Sequence, residues 1–304
     1  MRPKRALLVA NPAARGVTRA MVEVITKALS ADLRLEVFET TGRGSARDAA
    51  AVAVRNKARI VIVFSGDGTI NEVVNGITGS EAALGIIPGG ATNVFARNLG
   101  LPEDPLEATS VLIDRAAAGL ARRFNAGSAN GRHFVINCGA GLDAALMARL
   151  ERAEPKSRPG LERAALGAVL RSAREYAGRK PGLTVKVDDG PELPAVSVLV
   201  ARTTPYCYFK SLALKIHPER AELDSGLETL SARRFPAGSV PRITYEILVG
   251  GKLADRPGMD FVHGAEVVEI GSTEPFPVQL DGEYVGEYVG LDVRLIRDAL
   301  WVLA

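Results

Sequence analysis

"VFSGDGTINEVVNG", Val63 to Gly76, holds the choice between folds. The apolar run that enters it, "RIVIVF" (Arg59–Phe64), does not alternate, so it reads as a strand buried on both faces. From Ile70 to Ile77 the apolar spacing predicts a helix. One carboxylate, Asp67, stands between Gly66 and Gly68 where strand turns into helix. Glycines there let backbone N–H groups approach a phosphate without Cβ interference, and the helix N-terminus adds its positive end. A carboxylate suits bare phosphate poorly, but it suits a Mg²⁺ that travels with phosphates. The plainer alternative is a tight strand–helix turn in which Asp67 is a local cap. A dinucleotide fingerprint fits worse, because the spacing is GxGxxN and "IIPGGATN" (Ile86–Asn93) lacks the ribose-binding acid.

Outward from this stretch the chain alternates. Strands are expected at Ala6–Ala10, Leu33–Thr40 and Ala83–Pro88, and helices at Thr18–Leu29, Ser45–Arg55 and Asp104–Ala118. Short loops between them predict an α/β domain with a parallel sheet covered on both faces. Ligands bind such sheets beyond the carboxyl ends of the strands. Two further loops leave those ends: "VANPAARG" (Val9–Gly16) and "GIIPGGATNVFARNLGLP" (Gly85–Pro102). Three polar loops on neighbouring strand ends would line one cleft.

After Arg122-Arg123 the rhythm changes to short strand candidates separated by Gly, Pro and Asp: "HFVINCG", "LTVKVDDG", "AVSVLVA", "LETLSA", "AEVVEIGS", "FPVQLDGE", "GLDVRLI" and "LWVLA". Helices are expected at roughly Asp143–Ala153 and Leu161–Gly178. The pattern predicts a β-sandwich as the second domain.

The totals exclude several classes. The 304 residues are 47% hydrophobic and 24% charged, and the net charge of +3 does not demand nucleic acid as a partner. Cys138 and Cys207 form no CxxC pair, and His133, His217 and His263 are scattered without metal-ligand spacing. The basic N-terminus is followed by an apolar run too short for a signal peptide, and nothing approaches the ~20 apolar residues of a membrane span. A cytoplasmic protein is expected.

In order and type these motifs resemble the bacterial diacylglycerol kinase family of soluble lipid kinases, relatives of the sphingosine kinases. "NPAARG" is similar to that family's opening Asn-Pro loop, "SGDGTINEVVNG" to its Gly-Gly-Asp-Gly-Thr signature, and "PGGATNVFARNLGLP" to its second nucleotide loop. "FVINCGAGLDAAL" (Phe134–Leu146) and "FPVQLDGE" (Phe276–Glu283) match later segments. The resemblance implies an α/β ATP-binding domain over 1–123, completed by 287–304, and a lipid-substrate β-sandwich domain over 124–286. It implies transfer of the ATP γ-phosphate, with Mg²⁺, to a lipid hydroxyl, most readily that of diacylglycerol. Asn11, Thr41, Ser65, Gly66, Asp67, Gly68, Thr69, Asn71, Gly90, Thr92 and Asn93 would hold nucleotide, and Asp67 and Glu283 would be catalytic, Glu283 as general base. Without the resemblance, "LDGE" reads as a hairpin turn.

The chain departs from the family in several places. Ser65 replaces the first Gly of the signature, Val94 stands where an Asp follows the loop Asn, and Asn125 stands where an Asp enters the second domain. The family's structural metal turn is here Asp224-Ser225-Gly226, and Glu222, Asp224 and the Leu227 carbonyl would be its ligands. The basic segment Lys156–Gly182 carries Leu166, Val169, Leu170, Ala173, Tyr176 and Ala177 at helical spacing, which fits either a packed surface helix or one that docks on anionic lipid. Peripheral membrane contact with the lipid substrate is therefore expected, and a homodimer through an edge strand is left open. The alternatives are an NAD kinase-like enzyme and a catalytically weak protein that binds nucleotide or lipid as a regulator.

Overall fold

A computed structural model describes residues 3–153, 167–172, 174–209, 212–214, 226–235 and 257–304. They divide into two compact units: residues up to Ala126 with Ile296–Ala304, and Gly127–Leu295.

The first unit runs β1 (Lys4–Ala10), α1 (Arg19–Leu29), β2 (Leu33–Glu39), α2 (Ser45–Arg55), β3 (Ile60–Ser65), α3 (Asp67–Ile77), β4 (Ala83–Pro88), α4 (Val94–Asn98) and α5 (Pro105–Ala118). The sheet order is β2-β1-β3-β4, all parallel. Trp301 and Val302, near the end of the last strand, add on parallel beside Ala83 and Leu84. Val9 and Ala10 of β1, and Val61, Ile62, Val63 and Phe64 of β3, are fully buried, as the unalternating run requires. The register pairs Ala10 with Phe64 and Ser65 with Pro88, so the loops after β1, β3 and β4 leave one edge of the sheet together. Helix α1 buries Val22, Ile25 and Leu29 and is capped by Thr18, whose hydroxyl accepts the Met21 N–H at 3.2 Å. Helix α5 has Pro105 in its first turn and the Asp104 carboxylate on the N–H groups of Leu106 and Glu107.

The second unit is mostly antiparallel β. It contains the end of β5 (Arg122–Ala129), then β6 (Arg132–Phe134), β7 (Asn137–Ala140), α6 (Leu142–Ala153), β8 (Leu183–Val187), β9 (Leu193–Ala195), β10 (Ser197–Ala201), β11 (Cys207–Phe209), β12 (Leu212–Leu214), β13 (Leu227–Ala232), β14 (Met259–Ala265), β15 (Val267–Leu280) and most of β16 (Glu283–Val302). Its main sheet orders β14-β13-β10-β7-β15-β16. Here the strand reading is corrected. "AEVVEIGS" and "FPVQLDGE" belong largely to the single strand β15, and "GLDVRLI" and much of "LWVLA" belong to β16. A register shift between Gly271 and Phe276 absorbs the Gly and Pro residues that read as a turn. The two halves of β15 then pair with β8 and β7 respectively.

Helix α3 begins at Asp67, three residues before the expected Ile70, so Asp67, Gly68 and Thr69 form its first turn. Of the expected helix at Leu161–Gly178, residues 161–166 and 173 lie outside the described ones. The described part buries Ala168, Ser172 and Tyr176 and leaves Leu170 exposed. Among the described residues no helix is long and apolar enough to cross a membrane.

Ile62, fully buried in the middle of the parallel sheet, is the most direct probe of the first unit's core. Ile62→Ala should cost about 2–5 kcal/mol in urea unfolding, read as a lowered midpoint of that unit's transition.

Candidate functional site

The five helices of the first unit solve the same problem in different ways. A helix start leaves its first N–H groups without intrahelical acceptors. Helices α1 and α5 bring their own caps. Helices α2 and α4 follow Gly44 and Asn93, both in the left-handed conformation, and neither residue supplies a side-chain cap. Both are capped from α3. The Glu72 carboxylate accepts the N–H groups of Gly44 (2.8 Å) and Ala46 (3.1 Å). The Asp67 carboxylate accepts those of Val94 (2.9 Å) and Phe95 (3.0 Å), with the Thr92 hydroxyl at 3.2 Å. Asp67 thus caps the helix of the other glycine loop, and its own backbone N–H bonds to it as well.

Helix α3 itself starts at Gly66 with no side-chain cap. Of its first-turn N–H groups, that of Asp67 bonds its own carboxylate, and those of Gly68 and Thr69 stand at the helix start, where an anion would bind. Around them, the Thr69 hydroxyl accepts from Ser65 Oγ (2.8 Å) and Asn11 Nδ2 (3.2 Å). With both lone pairs taken, its own O–H is left as a donor. Asn11 also accepts the Ala13 N–H, which shapes the loop after β1, and Gly16 N–H donates to Gly89 O at 2.8 Å. The backbones of the two glycine loops touch: a Cβ on Gly90 would lie 2.5 Å from Gly66 Cα. Asn93 closes its own loop, accepting from Gly90 N–H at 2.8 Å. The structure therefore gathers Asn11, Ser65, Gly66, Asp67, Gly68, Thr69, Gly90, Thr92 and Asn93 at one sheet edge. Thr41 is exposed before α2 and donates its N–H to Ser45 Oγ. Asn71 is interior, 1% exposed, with Asn75 Nδ2 donating to it, so it braces α3.

The fit to phosphate and to Mg²⁺ differs. Uncapped N–H groups and a free hydroxyl proton suit phosphate oxygens. For a cation, the Asp67 carboxylate already accepts from Thr92, Val94, Phe95 and its own backbone N–H, so its lone-pair sites are engaged within the protein. Burial raises this carboxyl above its ordinary value of 3.8, against the hydrogen bonds that lower it. Val94 is buried at the start of α4, and Asn125 Oδ1 accepts the Asp298 N–H at 2.8 Å, so both positions do structural work.

In the second unit, "LDGE" forms a two-residue hairpin turn joining β15 to β16, with Asp281 (φ 50°) and Gly282 (φ 84°) both left-handed. The buried Asp281 carboxylate accepts the N–H groups of Val135, Ile136 and Asn137 at 2.8–3.2 Å. Glu283 follows as the first residue of β16, with Arg132 Nη2 at 3.5 Å from its carboxylate. Close by in the same unit, Gln279 contacts Asn137, Asp143 and Gly282. Sequence reading passed over this trio, because the partners stand 136 and 142 positions apart and share no local pattern. Of the expected metal ligands, Leu227 is buried at the start of β13, and Glu222 and Asp224 lie outside the described residues. Among the described residues no cluster of three or more His, Cys, Asp or Glu is placed to hold a metal ion.

Asp67→Ala should free the start of α4, because two backbone N–H groups lose their acceptor. Hydrogen exchange over 90–98 should rise, with stability falling by about 1 kcal/mol, while exchange over 100–118 stays as in the wild type.

Comparison with known proteins agrees with this arrangement. Residues 5–121, the span that supplies all three loops, match the diacylglycerol kinase catalytic domain. The diacylglycerol kinase of Bacillus subtilis is 29% identical over 304 aligned positions, covering 97% of this chain and 94% of that one. That of Staphylococcus carnosus is 29% identical, with 93% and 90% covered. A crystal structure of a diacylglycerol kinase from Bacillus anthracis shares the fold, with a TM-score of 0.74 at 24% identity over 100% of this chain and 98% of that one. Along its length, loops and element order included, the chain is similar to bacterial diacylglycerol kinases, and residues 5–121 match the catalytic domain of that family.

Proposed function

We propose that this protein is an ATP-dependent lipid kinase that moves the γ-phosphate of ATP, with Mg²⁺, to a lipid hydroxyl, and that diacylglycerol is the acceptor and phosphatidic acid the product. The observation that carries the reading is the uncapped start of α3, set beside a carboxylate that ties the two glycine loops together. It makes an anion site of the kind a polyphosphate needs, in a chain similar to bacterial diacylglycerol kinases.

Phosphoryl transfer asks for positioning and charge neutralisation more than covalent help. On this reading the N–H groups at Gly68 and Thr69 and the Thr69 hydroxyl bind phosphate oxygens, and Asn11 and Ser65 hold that hydroxyl in place. Asp67 keeps the loop after β4 closed against the loop after β3, and a cation bound with the phosphates would lie beside this carboxylate. Mg²⁺ bound with ATP supplies neutralisation of phosphate charge, and one or two protein carboxylates are its usual share. Glu283 takes the proton of the lipid hydroxyl, a role worth about 10²–10⁴-fold in general. Arg132 Nη2 lies 3.5 Å from its carboxylate. We assign the protein to the cytoplasm, with peripheral contact at the membrane surface where its substrate lies. Exposed Leu170 beside exposed Arg171 and Arg174 supports such contact.

The test is transfer of radiolabel from [γ-³²P]ATP to diacylglycerol, sphingoid base, ceramide and phosphatidylglycerol in mixed micelles, with NAD as a further acceptor. Label on diacylglycerol, reduced at least 100-fold in Asp67→Ala and in Glu283→Gln, is the expected result. Label on NAD would move the protein to the NAD kinase-like alternative. ATP binding without label on any acceptor would make it a nucleotide-binding regulator, a reading favoured by Val94 and Asn125 standing where the family has acids.

A further inference from the structure

The second unit holds a buried amide whose orientation is forced by its neighbours. Asn137 Nδ2 donates to Tyr206 O at 2.9 Å, which turns Asn137 Oδ1 toward Gln279. Gln279 Nε2 donates to that oxygen (2.5 Å) and to Asp143 Oδ2 (2.6 Å). Two acceptors facing one end of the amide require it to be the NH₂ end. The other end, Oε1, then accepts the Gly282 N–H at 2.8 Å, inside the two-residue turn that leads into Glu283. The space for this is made by Gly139: a Cβ there would lie 2.5 Å from Asp143 Oδ2 and 2.7 Å from Gln279 Nε2. Any side chain at 139 would displace the pair.

We propose that Asp143 is a positioning residue, which by accepting from Gln279 points the Gln279 carbonyl at Gly282 and so holds the turn that presents Glu283. The proposal rests on the reading of Glu283 as the proton acceptor, but its geometry does not depend on which lipid is the substrate. Asp143 does no chemistry on the substrate; it acts through Gln279.

The arrangement has a direction in pH. Although Asp143 as a whole keeps some exposure, burial pushes its carboxyl up to about 6, partly offset by the Gln279 hydrogen bond. The ionisable groups set near it are Cys138 of β7 and Tyr206, both pushed up by burial and therefore neutral, with Asp281 acting on Cys138. Above about pH 6 Asp143 is ionised and can only accept. Below it, the carboxyl carries a proton and can donate, so the Gln279 carbonyl can turn toward it and away from Gly282. The turn is then held from one side only, through Asp281.

The test uses the ¹⁵N-labelled full-length chain and three forms: wild type, Asp143→Asn, which keeps an acceptor but cannot ionise, and Asp143→Ala. In the wild type the Gly282 backbone amide and the Gln279 side-chain NH₂ signals should shift together with a midpoint near pH 6. In Asp143→Asn that midpoint should vanish. In diacylglycerol phosphorylation, Asp143→Ala should lower kcat about tenfold with KM for ATP within twofold. Asp143→Asn, which like the protonated carboxyl can donate, should show at pH 7.5 the lowered kcat that the wild type shows below pH 6, with no further fall near pH 6. A Gly282 signal that titrates alike in wild type and Asp143→Asn, or a kcat unchanged in Asp143→Ala, would overturn the proposal. If the wild type phosphorylates no lipid, the kinase reading fails, and the amide titration alone decides the positioning.

Discussion

The hydrogen bonds from the Val94 and Phe95 N–H groups to Asp67 are the constraint on which the arrangement of the loops depends. A five-residue helix such as α4 has too few internal bonds to stand alone, since helix formation begins with a costly nucleus. It also starts from a left-handed Asn93 that cannot cap it. The carboxylate that makes α4 viable comes from 27 positions upstream. Helix α2 depends in the same way on Glu72, whose acceptors reach back 28 and 26 positions. Helix α3 thus gives its acids to two neighbours and leaves its own N-terminus open. Charge-assisted bonds of this kind are roughly twice as strong as neutral ones, so the loops are set before any ligand arrives. That preorganisation is what lets an anion bind without first ordering the chain.

The second unit repeats the device at a turn. Asp281 is buried at 5% exposure and accepts from three consecutive backbone N–H groups. A buried carboxylate is costly unless its lone pairs are filled, and here they are. In both acid-bearing turns, "GDG" and "LDG", the first task of the aspartate is to clamp backbone from a distant segment. The setting differs. Asp67 stands in the first turn of a helix, whereas Asp281 stands in a hairpin turn, and Glu283, two positions on, lies on the strand beside Arg132.

Much of the first unit was legible because its signals are local. Unalternating apolar runs gave β1, β3 and β4, and the alternation of such runs with helical spacing gave the helices between them. The start of α3 was misplaced because glycine and aspartate read as loop. Yet Asp in a first helical turn is favoured by the dipole, and Gly68 costs only about 1 kcal/mol there. The strand β15 was cut in two for a related reason: the segment 273–275, ending in Pro275, read as a turn, but a register shift lets the strand pass through it. The hairpin at Asp281-Gly282 was legible from two residues alone. Its supports were not, because Gln279, Asn137 and Asp143 meet only through tertiary pairing of β7, β15 and α6.

The missing acids at 94 and 125 change the electrostatic balance of the loops in a definite direction. Glu72 is engaged at α2, and the segments 9–16, 65–71 and 89–93 contain no acid besides Asp67. A polyphosphate approaching this edge would meet one carboxylate, held by hydrogen bonds from Thr92, Val94 and Phe95, together with the N–H groups at the start of α3. Fewer acids weaken the hold on a free cation, because a hard cation is held mainly by charge and by the number of its oxygen ligands. They also reduce repulsion of the phosphates. Both effects favour a cation that arrives already bound to phosphate over one resident in the protein. Val94 then serves the loop better than an acid would: its buried side chain anchors α4, while its N–H goes to Asp67. An aspartate at 94 would place a second negative charge beside the first, and the fold would keep it there only if a cation paid the repulsion back.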